Sequence, residues 1–289
     1  MTRVAAVDLG TNATRLLVAD VVDDSVTEVV RRTRITQLGE GVDARRRLLP
    51  VPVARVRNVL VDYRREAESL GAERMLAVAT SAVRDAENGE AFLGEVEWSY
   101  GFATLLLTGE EEAALTLRGV GPLPPGTLVT DIGGGSTELV SATFRCSIDV
   151  GSVRLTERFG DDLDGAAAAV WVELNDVPPG VRTLVGVDGT TAELAAINGA
   201  RSLTLAEVGD VLARLAALPD AERRALLLEP DRSGVIVMGA LILRELLAGV
   251  GAERVEAAER DLLDGAALAA AELAPRPEPA APAGAFSCC

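Results

Sequence analysis

Apolar residues in the first 35 positions come in short runs broken by acids and glycine. Residues 4–7 are apolar and stop at Asp8-Leu9-Gly10-Thr11-Asn12, a second run covers 15–21, and Asp23-Asp24 turn the chain into a third, 26–34. Runs of that length between turn residues predict three strands. Gly39-Glu40-Gly41 opens a loop through Arg45-Arg46-Arg47, and residues 53–70 carry apolar positions at helical spacing up to Gly71; this predicts a helix. The same criteria predict strands at 75–79 and 104–107 and helices at 90–100 and 110–117. A Pro/Gly stretch, 122–126, is the best boundary, giving expected domains of 1–121 and 122–274. Beyond it the pattern predicts a strand at 183–187, helices at 205–218 and 221–228, and a strand at 235–238 feeding a helix at 239–247. From Pro275 onward Pro, Ala and Gly dominate, so residues 275–289 are expected to be a disordered tail.

The second domain opens as the first does: strand, Asp-aliphatic-Gly, small polar residues, strand. Its version, Thr130-Asp131-Ile132-Gly133-Gly134-Gly135-Ser136-Thr137-Glu138, breaks a strand at three glycines and a hydroxyl pair before Leu139-Val140 resumes it. Backbone N–H groups in such a turn can converge on an anion, and glycine permits the backbone angles that convergence needs. Asp131 and Glu138 add two hard oxygen ligands beside it, a combination suited to a metal-bound phosphate. The bland alternative is a glycine hairpin, which needs neither three glycines nor flanking acids. The repeated opening points to two similar α/β lobes facing across a cleft, each contributing one phosphate loop.

Composition narrows the chemistry. The chain has neither lysine nor histidine, which removes an imidazole base, a Schiff-base lysine, His-ligated zinc and a G-x-x-x-x-G-K nucleotide loop. Acid–base work falls to carboxylates and cation work to arginine or a metal, for which oxygen ligands favour Mg2+, with Mn2+ as the alternative. A net charge of −16 argues against nucleic-acid or anionic-membrane partners. Cys146 is isolated and Cys288-Cys289 are adjacent at the end, so no disulfide framework is visible. No signal peptide is expected ahead of the first strand, and the longest apolar run, 234–243, is too short to cross a bilayer. A cytoplasmic protein is the expectation.

Five stretches in order carry a resemblance that no single motif would. They are Asp8-Leu-Gly-Thr-Asn-Ala-Thr-Arg15, Ala79-Thr-Ser-Ala-Val-Arg-Asp85, Thr108-Gly-Glu-Glu-Glu-Ala113, Asp131-Ile-Gly-Gly-Gly-Ser-Thr-Glu138 and Gly151-Ser-Val-Arg-Leu-Thr-Glu157. Together they resemble the exopolyphosphatase/guanosine pentaphosphate phosphohydrolase (Ppx/GppA) family over nearly all of residues 1–273. That resemblance implies two actin-like, ribonuclease-H-like domains facing across a cleft, of the superfold shared with sugar kinases and actin. It also implies magnesium-dependent removal of terminal phosphate from inorganic polyphosphate. The alternatives are 5′-hydrolysis of guanosine pentaphosphate, or a sensor that binds either compound without turnover.

By the same resemblance Glu112 is the catalytic base, and crowding by Glu110 and Glu111 would raise its pKa toward the working pH. Those two neighbours read as a solvated helix start. Asp131 and Glu138 are the expected metal ligands, joined by Asp8 from the facing lobe. The phosphate set is Gly10, Thr11, Asn12, Arg15, Ser81 and Arg84 from the first half, with Gly133, Gly134, Gly135, Ser136 and Thr137 from the second. Arg15 and Arg154 read equally well as structural ion-pair residues. Three departures stand out: Ala13 sits where the family commonly has serine, Asp188 replaces a small residue near the site, and the segment after Phe159 is short. Asp188 could repel phosphate or hold a metal. The chain also ends before the further C-terminal domains of long members, which suggests shorter substrates or a homodimer that extends the channel.

Overall fold

The computed structural model describes residues 1–174, 177 and 180–274. The tail expected from 275 onward, with Cys288 and Cys289, lies outside the described residues. The first lobe runs β1 (Thr2–Leu9), β2 (Ala13–Val22), β3 (Ser25–Ile35), α1 (Val42–Arg45), α2 (Pro50–Ser69), β4 (Arg74–Ala79), α3 (Ser81–Arg84), α4 (Gly89–Tyr100), β5 (Ala103–Leu106) and α5 (Gly109–Val120). Its sheet has the order β3-β2-β1-β4-β5. The first three strands form an antiparallel meander, and β4 and β5 continue in parallel from β1.

The second lobe comprises β6 (Thr127–Ile132), β7 (Thr137–Val140), β8 (Arg145–Ile148), α6 (Ser152–Phe159), α7 (Leu163–Glu173), β9 (Thr183–Gly186), α8 (Gly189–Asn198), β10 (Ser202–Thr204), α9 (Leu205–Ala217), α10 (Asp220–Leu226), α11 (Ile236–Val250) and β11 (Arg254–Ala257). Its sheet, β10-β11-β9-β6-β7-β8, repeats the plan of the first, with a meander on one side of a central opening strand and the parallel strands β9 and β11 on the other, and adds β10 antiparallel at the edge. The last helix among the described residues is α12 (Leu262–Glu272).

Both faces of the first sheet are covered. Ala5, Val7 and Leu9 face a core closed by Val56 and Leu60 of α2 and Phe92 and Val96 of α4, while Val4 and Ala6 face Leu263, Ala266 and Ala267 of α12. A strand buried on both faces shows no polar alternation, and this explains the uniform run at 4–7. Residues 262–272, which chain order places with the second lobe, therefore lie against the first sheet. Helices α5 and α12 fit closely there: a Cβ at Gly119 would strike the Asp261 carbonyl, and one at Gly265 the Leu115 carbonyl.

Residues 235–238, expected as a strand, instead lead into and begin α11, in which Ile236, Met238, Leu241 and Leu243 are all buried. A short continuous apolar run fits a buried strand or a buried helix equally well. Here Gly239 lets the helix meet α8, since a Cβ would come within 2.6 Å of Thr190 Oγ1. The alanine-rich α7 and α12 and the short β10 and β11 carry too little periodicity to be recognised from sequence.

Candidate active site

The β1–β2 and β6–β7 connections are the same turn. Gly10 N donates to the Ala13 carbonyl and Gly133 N to the Ser136 carbonyl, each at 3.0 Å. Strand register pairs Asp8 with Arg15 in one loop and Asp131 with Glu138 in the other. Position by position, Asp8 thus answers to Asp131, Gly10 to Gly133, and Arg15 to Glu138. One charge differs. In the first lobe an arginine neutralises the strand-end aspartate, whereas in the second two carboxylates stand side by side. Like charges directly opposite are unfavourable, so the second loop is the one that a bound cation would relieve.

Between the loops lies a narrow cavity with about 70 Å³ of space for water-sized groups. The first lobe contributes Asp8, Gly10, Thr11, Asn12, Arg15 and Ser81 to its wall, the second contributes Asp131, Gly133, Gly134 and Ser136, and α5 contributes Glu112. Arg84, Gly135, Thr137 and Glu138 stand behind that wall. Arg84 Nη1 donates to Glu112 Oε2 at 3.2 Å and to the Leu107 carbonyl at 2.8 Å. Thr137 spends its hydroxyl on the Val150 carbonyl at 2.6 Å. Gly135 touches the first lobe, where a Cβ would lie 2.5 Å from Ser81 Oγ. Ser81 Oγ is in turn hydrogen-bonded to Thr11 Oγ1 at 2.8 Å.

Several buried polar atoms at this site have no partner: Asp8 Oδ1, Glu138 Oε2 and both amide atoms of Asn12. Buried polar groups are ordinarily satisfied, so these atoms are set for a ligand. Glu138 holds its other oxygen still, accepting from Ser136 Oγ at 2.8 Å and Ser147 Oγ at 2.7 Å. Among the described residues no three acidic or cysteine side chains stand together as a preformed metal cage. The donor set fits Mg2+ nonetheless, because that ion keeps several waters and takes one or two carboxylates with substrate phosphate oxygens.

Burial pushes the Glu112 carboxyl well above its ordinary value, Glu138, Asp131 and Asp8 push it further, and Arg84 opposes them. The direction matches expectation but the neighbours do not: Glu110 and Glu111 are exposed, and Glu111 closes a capping box on Thr108 at the start of α5. The acids that matter come from other strands. Asp131 is likewise raised, by burial first, with Arg15 opposing and Glu138 and Asp188 adding to the rise, as is Glu138, chiefly by burial.

The undecided residues fall into place by their bonds. Arg154 is buried and structural, donating to the Gly135 carbonyl at 2.6 Å and to Asp85 at 2.6 Å, and pairing with Asp43. With Arg158, which also grips Asp43, it ties α6 to the first lobe. Asp188 caps α8, accepting from Thr191 N at 2.8 Å and Thr191 Oγ1 at 2.9 Å, and so answers to a helix start on the cavity wall. Arg232 was not anticipated. It follows Pro230 in a short 3-10 turn and reaches the cavity over Gly189, where a Cβ would collide with its guanidinium. Only the glycine after a capping aspartate hints at that approach in the sequence.

A two-lobed α/β molecule whose lobes repeat one sheet plan, with paired glycine turns facing across a cavity, has the actin-like fold. The chain is 30% identical to a solved exopolyphosphatase-like protein, with a TM-score of 0.84 over 92% of this chain and 98% of that one. The family model described as Ppx/GppA phosphatase matches residues 17–271. The chain belongs to the Ppx/GppA phosphatase family and is accordingly a hydrolase. It is 36% identical to Exopolyphosphatase 2 of Mycobacterium tuberculosis, covering 94% of this chain and 99% of the relative. A Photobacterium profundum guanosine-5′-triphosphate,3′-diphosphate pyrophosphatase is 28% identical over 82% of this chain and 52% of its own length.

Proposed function

We propose that this enzyme removes the terminal phosphate of inorganic polyphosphate by direct attack of water. The observation that carries the reading is the Glu112 carboxylate, buried on the wall of the cavity between the twin loops. A positioned carboxylate with a raised pKa is suited to take a proton near neutral pH. Water oxygen forms a bond to the terminal phosphorus, its proton passes to Glu112, and the bridging P–O bond breaks to leave a shortened chain. Arg84 orients Glu112. The loop amides at 134–136, with Thr11 and Asn12, hold the phosphoryl oxygens. Asp131, Glu138 and Asp8 would hold Mg2+ or Mn2+, which when bound neutralises phosphate charge and orients the terminal phosphoryl group.

Similarity to the alarmone-cleaving relative supports a second substrate, guanosine pentaphosphate, for the same chemistry. Phosphate release with Mg2+ from short polyphosphate, long polyphosphate and guanosine pentaphosphate separates these. Faster release from polyphosphate is expected. Binding of all three without release would overturn the enzyme reading in favour of a sensor.

A further inference from the structure

Strand β11 belongs to the second sheet and α12 to the first, so residues 258–261 cross from lobe to lobe. Ala258 N is anchored to the Gly186 carbonyl of β9 at 2.9 Å. Three residues later Asp261 begins α12 on the first sheet, its Oδ1 accepting from Leu263 N at 2.8 Å. The other oxygen does something different: Asp261 Oδ2 accepts from Arg15 Nη1 at 2.7 Å. Arg15 turns its two remaining edges to one atom, Asp8 Oδ2, at 2.9 Å from Nε and 2.8 Å from Nη2. Asp8 is 4% exposed and lines the cavity, and its Oδ1 has no hydrogen-bond partner. The equivalent aspartate of the other loop, Asp131, has no such relay, because Glu138 stands where Arg15 does.

We propose that Asp261 is a positioning residue for the phosphatase site: through Arg15 it holds Asp8 so that one oxygen is fixed and the other faces the cavity as an unshared acceptor for a divalent cation or its water. The crossover thereby links lobe arrangement to the presentation of Asp8. The Asp261 carbonyl also packs close to Gly119 of α5, the helix that carries Glu112. This inference rests on reading the cavity as a cation-assisted phosphoryl site.

Asp261→Asn is the informative variant. Asn still caps a helix, but with its oxygen on Leu263 N it turns an NH2 toward the Arg15 donor. Mn2+ binding would be followed by electron paramagnetic resonance with pyrophosphate present, alongside the Mg2+ dependence of phosphate release and the thermal midpoint. Loss of a residue that orients a ligand costs about 10- to 100-fold in metal affinity, so Mn2+ should bind at least about 10-fold more weakly. Arg15→Gln should match it, the double variant should be no worse than Arg15→Gln alone, and Asp261→Glu should recover part of the loss. Arg31→Met removes the other arginine on Asp261 (3.1 Å) without touching Arg15, and should leave Mn2+ affinity near wild type even if the midpoint falls. Three outcomes would overturn the proposal: unchanged Mn2+ affinity in folded Asp261→Asn, multiplicative losses in the double variant, or no Mn2+ binding by wild type. Wild type that binds Mn2+ and shows the Asp261→Asn defect, yet releases phosphate from nothing, would remove the proposed reaction and leave the relay standing.

Discussion

Replacing Glu112 with Gln separates catalysis from stability in a single residue. The side chain is 6% exposed, and its one ionic contact is the 3.2 Å bond from Arg84. Gln keeps the shape and an oxygen that Arg84 can still reach, so neither a cavity nor a stranded arginine results. What disappears is a negative charge facing Glu138, Asp131 and Asp8 and the ability to take a proton from water. General-base catalysis contributes about 10²- to 10⁴-fold, or about 2.7–5.5 kcal/mol of barrier at 1.36 kcal/mol per decade. Removing one of several like charges from a buried cluster relieves their repulsion, so the thermal midpoint should rise. Single-turnover phosphate release and a thermal melt on one preparation test both halves. A rate drop smaller than tenfold, or a drop that merely tracks loss of folded protein, would refute Glu112 as the base.

Three further outcomes follow from the same geometry. Gly135→Ala places a methyl 2.5 Å from Ser81 Oγ and 3.2 Å from Thr11 Oγ1; overpacking of this kind costs about 1–3 kcal/mol and should raise KM as the loops part, so wild-type KM would count against the loop contact. Arg154→Met removes a buried guanidinium from two half-buried carboxylates, of which Asp43 keeps Arg158, and should cost about 1.5–3 kcal/mol in urea denaturation, while Arg158→Met, half exposed, should cost under ~1 kcal/mol; equal costs would show that the pairs do not hold the lobes. The pH dependence has a definite sign. Glu112, Asp131 and Glu138 hold protons more tightly folded than unfolded, so metal-free stability should fall as pH rises from the ordinary carboxylate range through their raised values. Asp43 is held low by Arg158 and Arg154 against burial, and the stability it contributes is instead lost as pH falls through its folded value. Thermal melts across pH 4–8, with and without Mg2+ and pyrophosphate, should show the alkaline loss reversed by ligand; a flat metal-free profile would be the contrary result.

Much of the site can be read directly from the chain. The Asp-aliphatic-Gly openings at 8–10 and 131–133 mark the twin turns because a strand that ends at glycine next to small polar residues can turn back tightly with no side chain in the way. The acidic start of α5 is visible as three glutamates after Thr108, although which of them points inward depends on helix phase: Glu111 turns back to cap while Glu112 faces the cavity. Arg232 and Asp261 are not legible in the chain because the one reaches the cavity and the other reaches Arg15 from segments remote in sequence, through contacts that no local pattern records.

Local physics alone therefore determines where this chain turns, which strands are buried on both faces, and that lysine and histidine take no part in its chemistry. Tertiary structure decides which acids face one another, and hence the direction of every pKa shift at the site, since desolvation and charge proximity depend on distance in space rather than along the chain. It likewise decides that the last helix returns to the first sheet. Burial of Leu263, Ala266 and Ala267 against β1 is a long-range packing gain, and it carries Asp261 to Arg15 across 246 positions of sequence.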